Sequence, residues 1–182
     1  MRVIRSEIEG LLLVEPVLHG DERGYFMESF SERDFEAQTG LKVRFVQDNE
    51  SRSRKGVLRG MHFQREPYAQ AKLVRVVQGR VLDVAVDIRP ESPTFGKYVA
   101  TELSGTNHRQ MFIPKGFAHG YVVLEDDTVF QYKCDEYYHP EAEDGIAWND
   151  PQIAIDWGVA ESAVVLSEKD KHRPLLNELC EF

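Results

Sequence analysis

The run VLRGMHFQ, residues 57–64, sets Arg59 and His62 three positions apart around Gly60 inside an otherwise apolar, strand-like stretch. An unperturbed imidazole titrates at about 6.5, so His62 is the side chain best suited by intrinsic acidity to move a proton near neutrality. Of the other histidines, His19, His108, His139 and His172 fall in loop-like surroundings, whereas His119 lies in IPKGFAHGYVVLE. There Pro114, Gly116 and His119 form a P-x-G-x-x-H pattern that places an imidazole at the start of a strand after a tight turn. Two more polar side chains fall on strand faces: Lys72 alternates with Val74 and Val76, and Tyr132 with Thr128 and Phe130. An ammonium on an inward face is costly unless it meets negative charge. A fixed cation stabilises a developing oxyanion, and a phenol can deliver a proton. Base, cation and acid are together the parts of general acid–base chemistry on a group that develops negative charge. Each residue also has a plainer reading, as a satisfied core histidine, a core tyrosine with a tethered hydroxyl or a solvated arginine.

The rest of the chain must supply a frame for these groups. With 182 residues, 42% hydrophobic and 10% aromatic, the sequence has ample material for a packed core and reads as one domain over 1–182. Disordered and fibrous classes are thereby excluded. The balance of 31 acidic and 22 basic residues, net charge −9, argues against a sequence-independent grip on nucleic acid. Small anionic ligands remain compatible wherever a few Arg and Lys side chains converge. No apolar run reaches the roughly 18 residues that span a bilayer. The N-terminal MRVIRSEIEGLLLVEP lacks the apolar segment and cleavage site of a signal peptide. The expectation is a cytoplasmic protein with no membrane partner. Cys134 and Cys180 are too few for a disulfide framework and are expected to be reduced thiols.

The dominant hydrophobic period is two. In AKLVRVVQGRVLDVAVDI, residues 71–88, alternation on both sides of Gln78-Gly79 predicts a hairpin. Further strand-like runs cover 11–16, 25–30, 42–47, 97–103, 109–114, 120–125 and 128–138, with Gly, Pro, Asp and Asn between them. Many short strands separated by turn residues predict an all-β sandwich or barrel. One helix is predicted in SERDFEAQTG, residues 31–40, with Ser31 as N-cap, Asp34 at the third position and Gly40 as terminator. The C-terminal third, richer in Pro, Asp and Glu, is expected to wrap the barrel as loops and short turns.

The P-x-G-x-x-H pattern is similar to the second motif of the cupin superfamily, small double-stranded jelly rolls that carry their sites inside the barrel. Many cupins hold a metal through an H-x-H pair, a later carboxylate and the histidine of the second motif. Here the first pair reads His62-Phe63-Gln64, and the later polar position, taken to lie on the same hairpin, is Lys72. A protonated ammonium repels a divalent ion and offers no lone pair, so no metal site is expected.

Six blocks in order resemble one family: DERGYFMESF (21–30), FVQDNESRSRKGVLRGMHFQ (45–64), the run 70–97, MFIPKGFAHGYVVL (111–124), YYHPEAEDGIAWNDP (137–151) and LSEKDKHRP (166–174). The family is that of the dTDP-4-dehydrorhamnose 3,5-epimerases. The resemblance implies an all-β, cupin-like jelly-roll barrel with a few short helices, a homodimer, and no metal or organic cofactor. Its activity would be inversion of the carbons on both sides of a sugar ketone, through enolates, in a dTDP-4-keto-6-deoxy sugar. It implies His62 as the base, Asp170 as its orienting carboxylate, Lys72 as the holder of the C4 oxygen and Tyr132 as the proton donor. Arg23 and Arg59 match positions that bind the pyrophosphate, with Lys169 a possible third cation. Phe26, Glu28, Gln47, Asn49, His119 and Glu143 match other ligand-contacting positions, and Tyr138 the aromatic that stacks on thymine. Three other readings stand beside this one: an epimerase acting at one carbon, a non-catalytic sugar-nucleotide binding barrel and a metal-dependent cupin oxygenase.

Overall fold

The computed structural model describes residues 1–179, and the expectation for Cys180 lies outside them. A six-stranded antiparallel sheet takes the order β1 (Arg2–Arg5), β2 (Leu12–Glu15), β10 (Gln110–Ile113), β7 (Lys72–Gln78), β12 (Thr128–Cys134) and β5 (Gln47–Ser53). A five-stranded sheet takes the order β13 (Glu143–Gly145), β6 (Leu58–Gln64), β11 (Phe117–Val123), β8 (Arg80–Asp87) and β9 (Tyr98–Ser104). A small hairpin of β3 (His19–Asp21) and β4 (Gly24–Phe26) stands apart from both. This is the all-β, cupin-like jelly roll that the strand pattern and the motif resemblance predict. No helix among the described residues is long and apolar enough to cross a membrane.

Alternation along the strands builds three apolar layers. Val74, Val76, Val81, Ala85, Leu103, Met111 and Phe130 pack between the two sheets. Leu58, Phe63, Val84, Val86 and Val122, on the outer face of the five-stranded sheet, are covered by Ile146, Ile153, Trp157 and Leu176 from the C-terminal segment. Each such large apolar side chain, fully buried, contributes roughly 1.5–3 kcal/mol. The outer face of the six-stranded sheet buries Leu12, Val14, Leu73 and Phe112 against Phe35 of the helix α1 (Glu32–Thr39). That helix starts and stops where its sequence predicts: the Ser31 hydroxyl accepts from the Asp34 amide, and Gly40 ends it at φ 76. Short 3₁₀ turns at Glu161–Ala163, Asp170–His172 and Leu176–Glu178 punctuate the covering segment.

Four expectations fail. The 71–88 run is not a hairpin: β7 pairs with β10 and β12, while β8 pairs with β11 and β9 in the other sheet. Gly79 turns the chain across the sandwich at φ 79, where a Cβ would lie 2.2 Å from Thr128 Oγ1. Two-residue periodicity looks the same on both sides of a crossing as on both sides of a hairpin turn. Likewise β6 and β7 belong to different sheets, so His62 and Lys72 stand on opposite walls and not on one hairpin. The predicted strand at 42–47 is irregular up to Val46, because Val43 and Phe45 pack beside α1, and pairing begins at Gln47. Of 25–30, only Tyr25 and Phe26 are in a strand.

Candidate active site

Arg59 and His62 could not share a face of a regular strand, being an odd number of residues apart. They do so here because β6 is bulged: His62 pairs with His119 and Arg59 with Tyr121, so β6 carries one more residue than β11 between the same pairs. Gly60 sits in the bulge at φ 138, and a Cβ on it would lie 2.5 Å from the Gly120 Cα. Glycine at both positions lets the strands meet closely, turning Arg59 and His62 together into a cavity of about 720 Å³ between the sheets.

The five-stranded wall supplies two histidine–carboxylate pairs. His62 Nε2 lies 2.5 Å from Asp170 Oδ1, which leaves Nδ1 as the ring nitrogen free of the carboxylate. Asp170 is 4% exposed on the C-terminal segment, and its amide donates to Ser167 Oγ at 3.1 Å. Burial works to raise the Asp170 carboxyl, but the His62 hydrogen bond and charge outweigh it and hold the group below the ordinary aspartate range. His119 Nε2 lies 3.0 Å from Asp83 Oδ2, with both residues buried. The segment carrying Asp170 is fastened upstream, where the Leu58 amide donates to Val165 O and the Val165 amide to Gly56 O.

The six-stranded wall supplies Lys72 and Tyr132. Lys72 Nζ makes no hydrogen bond or ion pair with the described residues. Burial pushes its ammonium below the usual lysine range, while Cys134, Asp83 and Glu143 pull the other way. Burial likewise raises the Tyr132 phenol, favouring its protonated form, with the Arg59 charge opposing. Tyr132 follows Phe130, which stacks on Tyr121 at 4.0 Å between ring centroids. The buried Tyr121 hydroxyl is 2.8 Å from Ser51 Oγ. Arg59 touches Ser53 Oγ at 3.2 Å, a neutral partner that leaves its charge uncompensated.

At the mouth, Glu143 accepts from Tyr138 at 2.5 Å, Lys169 at 2.7 Å and Arg173 at 2.8 Å. Burial opposes ionisation there, yet the Lys169 and Tyr138 hydrogen bonds carry the carboxyl down to about 2. Gln47 donates to Asn49 Oδ1 at 3.0 Å and accepts the Tyr138 amide at 3.1 Å. Gln64, the position where an H-x-H pair would have its second histidine, is committed to backbone groups: it donates to Tyr68 O and Tyr137 O and accepts from the His139 amide. The side chain fixes the loop that carries Tyr138.

The cavity thus brings together His62, Asp170, Lys72, Tyr132, Gln47, Asn49, Arg59, His119, Tyr138, Glu143 and Lys169. It does not include Arg23, Phe26 or Glu28. Arg23 is exposed on the β3–β4 hairpin and bonds to Asp21, Phe26 is 67% exposed, and Glu28 follows the hairpin on the surface. Sequence reasoning missed Asp83, Tyr121 and Arg173. Asp83 had a signal: an acid in the apolar alternation Val81, Asp83, Ala85.

The model of the dTDP-4-dehydrorhamnose 3,5-epimerase family matches residues 5–178. The dTDP-4-dehydrorhamnose 3,5-epimerase of Escherichia coli (strain K12) is 58% identical, over 98% of this chain and 96% of that protein. The crystal structure of a dTDP-6-deoxy-D-glucose-3,5-epimerase from Legionella pneumophila, in complex with dTDP-4-keto-L-rhamnose, is 54% identical with a TM-score of 0.94, covering 98% of this chain and 94% of that one. A 3'-monoepimerase from Streptomyces bikiniensis, in complex with dTDP-quinovose, is 32% identical with a TM-score of 0.88, covering 94% and 86%. Fold, motifs and these likenesses agree, and the chain belongs to the dTDP-4-dehydrorhamnose 3,5-epimerase family.

Proposed function

We propose that the protein converts dTDP-4-dehydro-6-deoxy-alpha-D-glucose into dTDP-4-dehydro-beta-L-rhamnose by inverting C3 and C5, on the route to dTDP-L-rhamnose. The observation that carries this reading is the division of one cavity into two walls, with His62 held by Asp170 on one and the unpaired Lys72 ammonium and Tyr132 hydroxyl on the other. In this reading His62 Nδ1 takes the proton from a carbon beside the C4 ketone, and the electron pair moves onto the C4 oxygen as an enolate. Lys72 holds that oxygen, whose charge is larger in the transition state than in the bound ketone. Tyr132 returns a proton to the opposite face of the ring; His62 then gives the proton it took to solvent, and Tyr132 is reprotonated from solvent, so both are reset. The same steps at the second carbon complete the double inversion, and every group involved is the protein's own.

Arg59 and Lys169 are assigned to the pyrophosphate and Tyr138 to stacking on thymine. Gln47, Asn49, His119 and Glu143 are assigned to further contacts with the ligand. The protein acts in the cytoplasm as a homodimer. In that arrangement the exposed β3–β4 hairpin offers Arg23, Phe26 and Glu28 to a neighbouring copy's cavity, which reconciles their family positions with their place on the surface. A single-carbon epimerase is the second reading, because the monoepimerase from Streptomyces bikiniensis shares this fold over most of the chain.

Turnover in deuterated water, followed by NMR of the product, separates the readings. Deuterium at both C3 and C5 with both centres inverted is the expected result. Label at C3 alone would establish the single-carbon enzyme, and an unlabelled, unchanged sugar would leave only a binding barrel.

A further inference from the structure

Glu143 has a partner that takes no part in the reaction described above. Arg173 follows the 3₁₀ turn that carries Asp170 and reaches β13, where its Nη2 donates to Glu143 Oε1 at 2.8 Å and its Nη1 faces Asp144 Oδ1 at 3.7 Å. Its side chain is only 9% exposed. The approach depends on Gly145, since a Cβ there would lie 2.9 Å from Arg173 Nε. Lys169 meets the same Glu143 oxygen at 2.7 Å but is 55% exposed, while the Tyr138 hydroxyl donates to the other oxygen. Asp144 has a second cation, Arg65, at 3.2 Å. Of the two cations on Glu143, one is therefore solvated, the other enclosed. Arg173 Nε has no hydrogen-bond partner among the described residues, so burial of this guanidinium is incompletely compensated there. Apolar packing would serve stability as well as such a group does, which points to the carboxylate it holds.

We propose that Arg173 is a positioning residue for nucleotide recognition: by anchoring Glu143 it fixes the Tyr138 hydroxyl, and with it the ring that closes the mouth of the cavity. This rests on reading the Tyr138 end of the cavity as the nucleotide end. A planar fork suits the task better than lysine, because it faces Glu143 and Asp144 at once.

Calorimetric titration with dTDP, alongside thermal midpoints, tests the assignment on wild type, Arg173→Met, Arg173→Lys, Glu143→Gln and the Arg173→Met/Glu143→Gln double variant. Loss of a partner that orients a ligand-holding group should weaken dTDP binding in Arg173→Met by roughly ten- to a hundredfold, with Arg173→Lys falling between it and wild type. On the Glu143→Gln background the same substitution should add less than about twofold, because its route to the ligand is already cut. A folded Arg173→Met that binds dTDP like wild type would overturn the proposal. So would an equal loss on both backgrounds, which would make Arg173 a general scaffold. If Arg173→Met does not fold, Arg173→Lys decides by the same two criteria, with Arg173→Lys/Glu143→Gln as its double variant. Failure of wild type itself to bind dTDP would instead sink the nucleotide reading of the cavity and this proposal with it.

Discussion

Two histidines face one cavity from neighbouring strands, and each turns Nε2 toward a carboxylate, but the two pairs are built differently. His119 and Asp83 come from adjacent strands of one sheet, and the imidazole is 8% exposed. His62 takes its carboxylate from a segment 108 residues further along the chain, and its ring is 32% exposed. A pair made within a sheet is a fixed polar part of the wall. One assembled across layers leaves an oriented imidazole open to whatever enters, which is the property a base requires.

The largest expected effect separates the two directly. His62→Ala should lower turnover by roughly 10² to 10⁴, as for a lost general base, while dTDP affinity stays within about twofold of wild type. His119→Ala should act mainly on KM, and steady-state kinetics in which it matched the loss in kcat would erase the distinction. The carboxylates should divide in the same way. Asp170→Asn should cost roughly ten- to a hundredfold in turnover through a misoriented, less basic His62. Asp83→Asn should appear chiefly as about 1–3 kcal/mol of lost stability in chemical denaturation, the cost of disturbing a buried polar pair.

Acid sharpens the contrast at the mouth. Glu143 is lowered in the folded state from 4.5 to about 2, so its contribution to stability is complete above pH 4.5 and disappears as pH falls from there toward 2. Asp170 is also lowered from its ordinary 3.8 and carries the same sign. Thermal midpoints of wild type and Glu143→Gln should therefore differ near neutrality and converge in acid. A gap that widened in acid would contradict the assigned ion cluster. The smallest effect concerns the other wall, where burial raises the Cys134 thiol to about 11. Mass spectrometry after iodoacetamide treatment at neutral pH should find Cys134 essentially unmodified, since the thiolate is the reactive form.

Much of this site was legible because strand alternation is a local property. Lys72 and Tyr132 face inward as their neighbours Val74 and Phe130 require, and α1 is capped where Ser31 and Gly40 predict. What alternation does not encode is which sheet a strand joins. Gly79 therefore read as a hairpin turn instead of a crossing, and Lys72 was put on the wall of His62 instead of facing it. The bulge that aligns Arg59 with His62 was equally hidden, since it depends on Gly60 meeting Gly120 from another part of the chain. Asp170 was recoverable only through its motif, for nothing in the spacing ties it to a residue on β6. Arg173 sat in that same motif without a role, because its contact with Glu143 exists only after the C-terminal segment has docked.

That docking gives the C-terminal segment two tasks, sealing the outer face of the five-stranded sheet with Trp157 and Leu176 and bringing Lys169 and Asp170 to the cavity and Arg173 to Glu143 behind it. Proteins open in parts as well as all at once, and segments held by a few contacts open at lower free energy than the sheets they cover. Here such an opening would strip His62 of its carboxylate and Glu143 of both cations while the strands remained paired. Amide exchange across residues 165–176 would then track the fraction of inactive molecules well below the temperature at which the barrel melts.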